Sequence, residues 1–358
     1  MRAAVVVLAL VGCAGGESEG GLAILGGGAH DPAAITIEVL GDASNGLNQP
    51  TDVAVNPRAP EQIWITNFAD NSVVRFAGDQ FFGRYNSPGS EHFLASPSSL
   101  AFSDFGNFAT AQDTDEVTQS FTPADFMGPT LWDDSAMFDA GAAGHLDMLH
   151  NTPNGGGIAW ERDNVYWLVD GYHSSLTRYD FADDHGYGGS DHSDGIIDRY
   201  AEGQISHVKG IPTHADMADG ILYTADAGGA RIFRFDPQGA SRSGAIGPDY
   251  DGADMSRYTG GSGTTLANGW LVPVLDESGD PTVEPVELGL PAGVEVHEGL
   301  VWVTDFASGN ILALTLDGDL VDWVPTGRQN ALAGIDIDAE GRLLVVDKLN
   351  SELLRISP

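Results

Sequence analysis

One pattern recurs six times along this chain. It has a short strand opened by Pro or Gly, a turn, a second strand closing on Asp or a relative, a polar turn, and a third strand. Copies include PTDVAVNPRAPEQIWITNFADNSVVRF (50–76), GGGIAWERDNVYWLVDGYHSSLTRYDF (155–181) and PAGVEVHEGLVWVTDFASGNILALTLDG (291–318). The others start at 97, 212 and 332. The third residue of each copy falls at 52, 99, 157, 214, 293 and 334, so the spacings are 47, 58, 57, 79 and 41. A propeller blade of four short strands takes about 40–50 residues. The longer spacings therefore carry insertions, chiefly within 117–154, 182–207 and 237–287. Apolar residues alternate with a period of two, which marks strands, and no segment reads as a convincing amphipathic helix. The expected fold is all-β: a six-bladed β-propeller over 34–358, with a His/Asp-rich insertion at about 117–207. The segment AITIEVLG (34–41) stands alone before the first copy, while the last copy stops after three strands. This predicts that 34–41 supplies the outermost strand of the last blade and hides two open sheet edges.

The six copies resemble NHL repeats in their Pro-x-Gly-Ile-Ala-Val opening and Leu-Tyr-Val-Thr-Asp second strand. The resemblance covers almost the whole of 34–358 and implies the same propeller. The copy at 97–116 is the weakest match, with Gln112 where Asp is expected. The recurring Asp170, Asp226, Asp305 and Asp347, with Asn67 in the first copy, are read as turn formers that accept backbone N–H groups.

The chain's beginning reads MRAAVVVLALVGCAGG. Arg2 followed by an apolar run too short to cross a bilayer fits a secretory signal over 1–12. Leu10-Val11-Gly12-Cys13 resembles the lipobox of bacterial lipoproteins, and the sequence has 1 Cys in all. Residues 13–33 are expected to be an acylated Cys13 followed by a flexible Gly-rich tether. By the same resemblance, Ala14 implies an outer-membrane lipoprotein, periplasmic or surface-facing, held to the membrane by its lipid. A monomer is expected.

Composition excludes one class of partner. Lys+Arg number 16 against 52 Asp+Glu, a net charge of −36. Phosphate backbones need clustered cations, so nucleic acid is not an expected ligand. An acidic surface favours cations as ligands and also favours solubility.

Two groups of residues carry candidate chemistry. In the innermost strands, positions four and six are apolar, as in Val53 and Val55. Positions three and five have the opposite parity and face the axis. They are small in the first half of the chain and charged in the second: His214, Asp216, Glu295 and Asp336. These form the expected axial cluster, holding a cation or a polar ligand, or simply wetted. His145 and His150, just before the third inner strand, are expected to join it if the insertion folds over the axial mouth. The second group is the stretch DDHGYGGSDHSDG, with Asp183, Asp184, His185, Asp191, His192 and Asp194. Its glycines let a loop fold back so that ligands converge. Carboxylates suit Ca²⁺ and imidazoles suit Zn²⁺, and the mixture does not choose between them.

Two propeller families bear on activity. The peptidyl-hydroxyglycine amidating lyases carry metal histidines in Pro-His-Gly motifs at inner-strand starts. Here Pro212-Thr213-His214-Ala215 places its histidine one position later, and no Pro-His-Gly occurs. Gluconolactonase-like propellers use axial acids around a divalent ion, a theme that Asp216, Glu295 and Asp336 are similar to. The sequence thus supports a binding module for a protein, glycan or small ligand, with a divalent metal. The alternative is a metal-dependent lyase or hydrolase acting at the axial mouth. No Gly-x-Ser-x-Gly elbow or phosphate loop is present.

Overall fold

A computed structural model describes residues 21–86, 93–115, 126–139, 144–275 and 281–358. Each repeat forms a four-stranded antiparallel sheet, and six such sheets make the propeller. The innermost strands, blade one to blade six, are Pro50–Val55, Pro97–Phe102, Gly155–Arg162, Ala215–Ala218, Pro291–His297 and Leu332–Ile337. In blades three, four and five a two-residue turn joins the inner to the second strand. At Asp219-Gly220 and Glu298-Gly299 φ is positive at both residues (52° and 77°, 50° and 78°). That is the type I′ pattern, whose twist matches flanking strands.

The apolar residues fill six separate cores, one between each pair of neighbouring blades. Trp64 and Val73 of blade one meet Leu100, Phe108 and Trp132 of blade two. Tyr223 and Ile232 of blade four meet Val294, Val301 and Leu312 of blade five. Val53, Ile65 and Phe76 of blade one meet Leu344, Val346 and Leu353 of blade six. The remaining three junctions are built alike. Each sheet therefore hides both faces, and second strands such as Val165–Asp170 and Leu343–Asp347 are buried along their whole length.

The ring closes as expected. Thr36–Gly41 lies antiparallel to Glu352–Ser357, from Thr36 opposite Ser357 to Gly41 opposite Leu353. Residues 21–33, expected to belong to a flexible tether, are instead packed on the ring. Ala23–Leu25 forms a 3₁₀ turn, and Leu25 is wholly buried among Ile311, Val324 and Ile356. Gly28 N donates to Asp322 Oδ2 (3.2 Å), and the His30 ring stacks on Trp323 at 4.7 Å. One wholly buried leucine outweighs the glycines in deciding this segment's fate. Cys13 and the signal region lie outside the described residues, as do 116–125 and 140–143 of the insertion.

Two hairpins elaborate the ring. Ser241–Ala245 and Asp254–Thr259 extend blade three, the latter running parallel to Ile196–Tyr200. Gly269–Leu275 pairs with Pro281–Glu287 between blades four and five. The recurring turn carboxylates are fully buried. Asp305, for example, accepts the N–H groups of Gly289, Leu290 and Ser308. In the second copy Gln112 replaces the Asp and donates to Phe93 O instead.

Candidate axial site and the histidine cluster beside it

The inner edge of each innermost strand has no further strand to pair with, yet its N–H and C=O groups need partners. Neighbouring blades supply them. Thr213 N donates to Gly156 O and His214 N to Ala292 O, both at 3.0 Å. Where backbones diverge, axial carboxylates bridge the gap. Asp52 Oδ2 accepts Leu100 N at 2.9 Å and Ser99 Oγ at 2.8 Å. Asp216 Oδ2 accepts Val296 N at 2.8 Å, and Asp336 Oδ2 accepts Val55 N at 2.6 Å. Each aspartate also accepts the N–H of its own successor. These residues thus hold blade one to two, four to five and six to one.

They also line one cavity of about 460 Å³, together with Glu295, Ser99 and His214. Its walls are apolar, with Val55, Phe102, Ile158, Trp160, Met217 and Ile337. Lining continues past the inner strands to Pro57, Pro60 and Ala339, so the cavity opens on the face where the inner strands end. His214 closes the deep end. Its Nε2 lies 3.0 Å from Ser98 O; a carbonyl only accepts, so Nε2 carries the hydrogen. Its Nδ1 faces Asp52 Oδ1 at 3.4 Å.

The charge in this cavity is one-sided. Asp52, Asp216, Glu295, Asp336 and Asp338 share it with two imidazoles, His214 and His297, and among the described residues no Lys or Arg lines it. Burial raises the Asp216 carboxyl to about 6 and the Asp336 carboxyl to about 7. Glu295 is pushed up well above the ordinary range, first by burial and then by the charges of Asp216, Asp336 and Asp52. Burial also raises Asp52, against the pull of His214 and its hydrogen bonds. An ionised carboxylate has about four lone-pair sites. Asp216 and Asp336 use two each on backbone N–H groups, and no described donor reaches Glu295. The site therefore has oxygen donors to spare and no built-in cation, which suits a hard divalent ion.

The four axial residues expected from sequence do come together. The expected companions His145 and His150 do not join them. Among the described residues nothing from 126–154 or 182–207 lines the axial cavity, so the described part of the insertion does not cap the mouth. Their outward direction has a local cause: His150 is held by Asp251, whose Oδ1 and Oδ2 meet its Nδ1 at 2.6 Å and its N at 2.7 Å. His145 stacks on Phe93 at 3.7 Å. Both instead stand beside the loop histidines, His145 5.0 Å from His185 and His150 6.4 Å from His192, centroid to centroid.

In the loop, the two histidines converge but the four aspartates do not. Asp184 Oδ1 accepts Gly186 N, Asp191 Oδ1 accepts Ser193 N, and Asp194 Oδ2 accepts Asp183 N. All four are exposed; Asp184 and Asp191 shape local turns, and Asp194 ties the loop's two ends. The carboxylate that meets the histidines is Asp147, fully buried on the outermost strand of blade two. Its Oδ1 lies 2.6 Å from His192 Nδ1, and this bond raises the His192 imidazole. Asp147 and Asp52 are the residues that sequence reasoning passed over. Asp147 shares strand parity with His145 in GHLDMLH, and Asp52 occupies the same repeat position as His214. Both signals were in the pattern.

No protein-family model matches the chain, and no curated protein matches its sequence. Solved structures do share its fold. A streptogramin B lyase is 12% identical with a TM-score of 0.52, covering 90% of this chain and 97% of that one. A gluconolactonase from Xanthomonas campestris is 14% identical with a TM-score of 0.54, covering 90% and 89%. An auxiliary nutrient binding protein from Bacteroides ovatus is 12% identical with a TM-score of 0.53, covering 87% and 70%.

Proposed function

We propose that this chain is a membrane-anchored, extracytoplasmic binding propeller whose axial cavity takes a small ligand by way of a bound divalent cation. One observation carries the reading: a cavity of about 460 Å³ with apolar walls, lined by five carboxylates against two imidazoles and no Lys or Arg among the described residues. Taking several carboxylates out of water without a counter-charge is costly, and either protons or a cation must offset it. Asp216, Glu295 and Asp336 would hold the ion, and calcium fits their all-oxygen donor set best. The apolar rim then supplies contact area, as in small-molecule sites generally. A structural neighbour titled as a nutrient binding protein is consistent with such a role. Anchoring through an acylated Cys13 and an outer-membrane location rest on the sequence of the first residues alone.

A second reading, a metal-dependent lyase or hydrolase at the same mouth, is favoured by one observation. Carboxyls lifted to about 6 and about 7 suit general acid–base work near neutral pH. Two of the structural neighbours are titled a lyase and a gluconolactonase.

Calcium titration by calorimetry at pH 8 tests the proposal. Wild type should bind one ion at the axis, and Glu295→Gln, which removes a negative charge and one acceptor oxygen, should weaken it by at least about tenfold, or about 1.4 kcal/mol. Glu295 accepts no described hydrogen bond, so the substitution leaves the ring intact. Equal calcium affinity in both proteins would remove the axis as the site.

A further inference from the structure

We propose that Asp147, His185 and His192 form a second metal site, off the axis, that takes a divalent transition metal of the zinc class. One donor atom from each residue lies within 4.8 Å of the other two. Two features show that this is a built site and not a crowd of surface side chains. His185 Nδ1 lies 2.6 Å from Gly186 O; the carbonyl accepts, so Nδ1 carries the hydrogen and Nε2 presents a bare lone pair. That Nε2 is buried with no hydrogen-bond partner among the described residues, and so is Asp147 Oδ2. Asp147 is 0% exposed. A buried carboxylate oxygen and a buried imidazole lone pair are both acceptors, and leaving them unpaired costs free energy. A cation satisfies both at once.

The donor chemistry selects the ion. Two imidazoles and one carboxylate suit Zn²⁺ or its neighbours in the transition series, whereas calcium takes oxygen ligands. Adjacent donors on zinc lie about 3.0–3.5 Å apart given bond lengths near 2.0–2.1 Å. Side-chain rotation would have to close the present set, within 4.8 Å, to that spacing. The backbone is fitted to the purpose as well. At Gly189 a Cβ would meet His185 O at 2.5 Å and His185 Nδ1 at 2.8 Å. At Gly195 it would meet Leu149 Cδ2 at 2.6 Å. The glycines therefore let the loop wrap His185 and lie against blade two.

The consequence is a clasp. Asp147 belongs to the outermost strand of blade two, and both histidines belong to the loop between the third and fourth strands of blade three. The metal would tie the two blades together at the rim. Three protein ligands leave one position for water or for a donor atom of a ligand. This site is independent of the axial reading, because the two share no residue.

Metal content of the full-length protein, measured by mass spectrometry after dialysis against micromolar Zn²⁺, tests the inference. Wild type and Glu295→Gln should each retain one zinc per chain. His185→Ala and His192→Ala should lose it, with affinity falling by more than the roughly 10–100-fold that loss of an outer partner costs. Both histidines sit partly exposed on a loop, and His185→Gln and His192→Gln are the substitutes should either alanine variant fail to fold. Cobalt substitution gives a second readout, a visible spectrum with nitrogen ligation that the histidine variants lack. Zinc retained in the histidine variants, or wild type holding calcium but no zinc or cobalt, would overturn the proposal.

Discussion

Asp336→Asn, studied in chelator, tests whether the axial carboxylates are held against their charge. The folded protein lifts this carboxyl from 3.8 to about 7 by burial. The sign follows from proton uptake. Above pH 4 the unfolded chain has lost this proton, while the folded chain keeps it until about pH 7. Folding therefore binds a proton in that window, and wild-type stability falls as pH rises through it, then levels off. At 1.36 kcal/mol per unit the ceiling is about 4 kcal/mol. Asp336 lines an open cavity that water enters, so about 1–2 kcal/mol is expected after screening. Asparagine carries no charge, and its contribution does not vary with pH. It has one oxygen where Asp336 uses two, for Val55 N and Ile337 N. Losing one acceptor costs about 1–3 kcal/mol at every pH. The variant should thus be clearly less stable than wild type at pH 4.5, and the gap should narrow by about 1–2 kcal/mol at pH 8. Urea unfolding at the two pH values measures both, and the surface charge of −36 weighs on the two proteins alike. A gap that stays constant within about 0.5 kcal/mol, or widens, would refute the reasoning.

Leu25→Ala should destabilise the protein by about 2–4 kcal/mol in thermal or urea melts, the ordinary cost of emptying a wholly buried leucine site; a cost near zero would restore residues 21–33 to a loose tether. Asp305→Ala strips acceptors from three backbone N–H groups and should cost about 2–4 kcal/mol without altering ion binding at either site, whereas a change in binding would show that the turn carboxylates do more than shape turns.

The fold was legible because the repeat states it six times, and because a half-blade at each end can be completed only by the other. The axial cluster was legible for the same reason: strand parity fixes which side of an inner strand faces inward, so His214, Asp216, Glu295 and Asp336 could be read without distances. The histidine cluster was only half legible. Parity and repeats end at the edges of the insertion, and there chain order does not give proximity. Asp183, Asp184, Asp191 and Asp194 look like ligands in sequence because turn formers and metal ligands are the same residue types. Asp147, the one carboxylate that meets the imidazoles, lies 38 positions before His185, and only the packing of blade two against blade three joins them. The Gly-rich start misled for a different reason: one wholly buried side chain, Leu25, decides more than the composition around it.

Thr36–Gly41 and Glu352–Ser357 are partners, yet all five other blades lie between them along the chain. The earlier strand must wait, its hydrogen-bonding edge open, until the later one has been made. A pairing so distant in sequence makes for slow folding, and an idle edge invites the wrong neighbour. Loss of Glu352–Ser357 would leave Thr36–Gly41 without its mate, so the ring can close only after its latest strand exists.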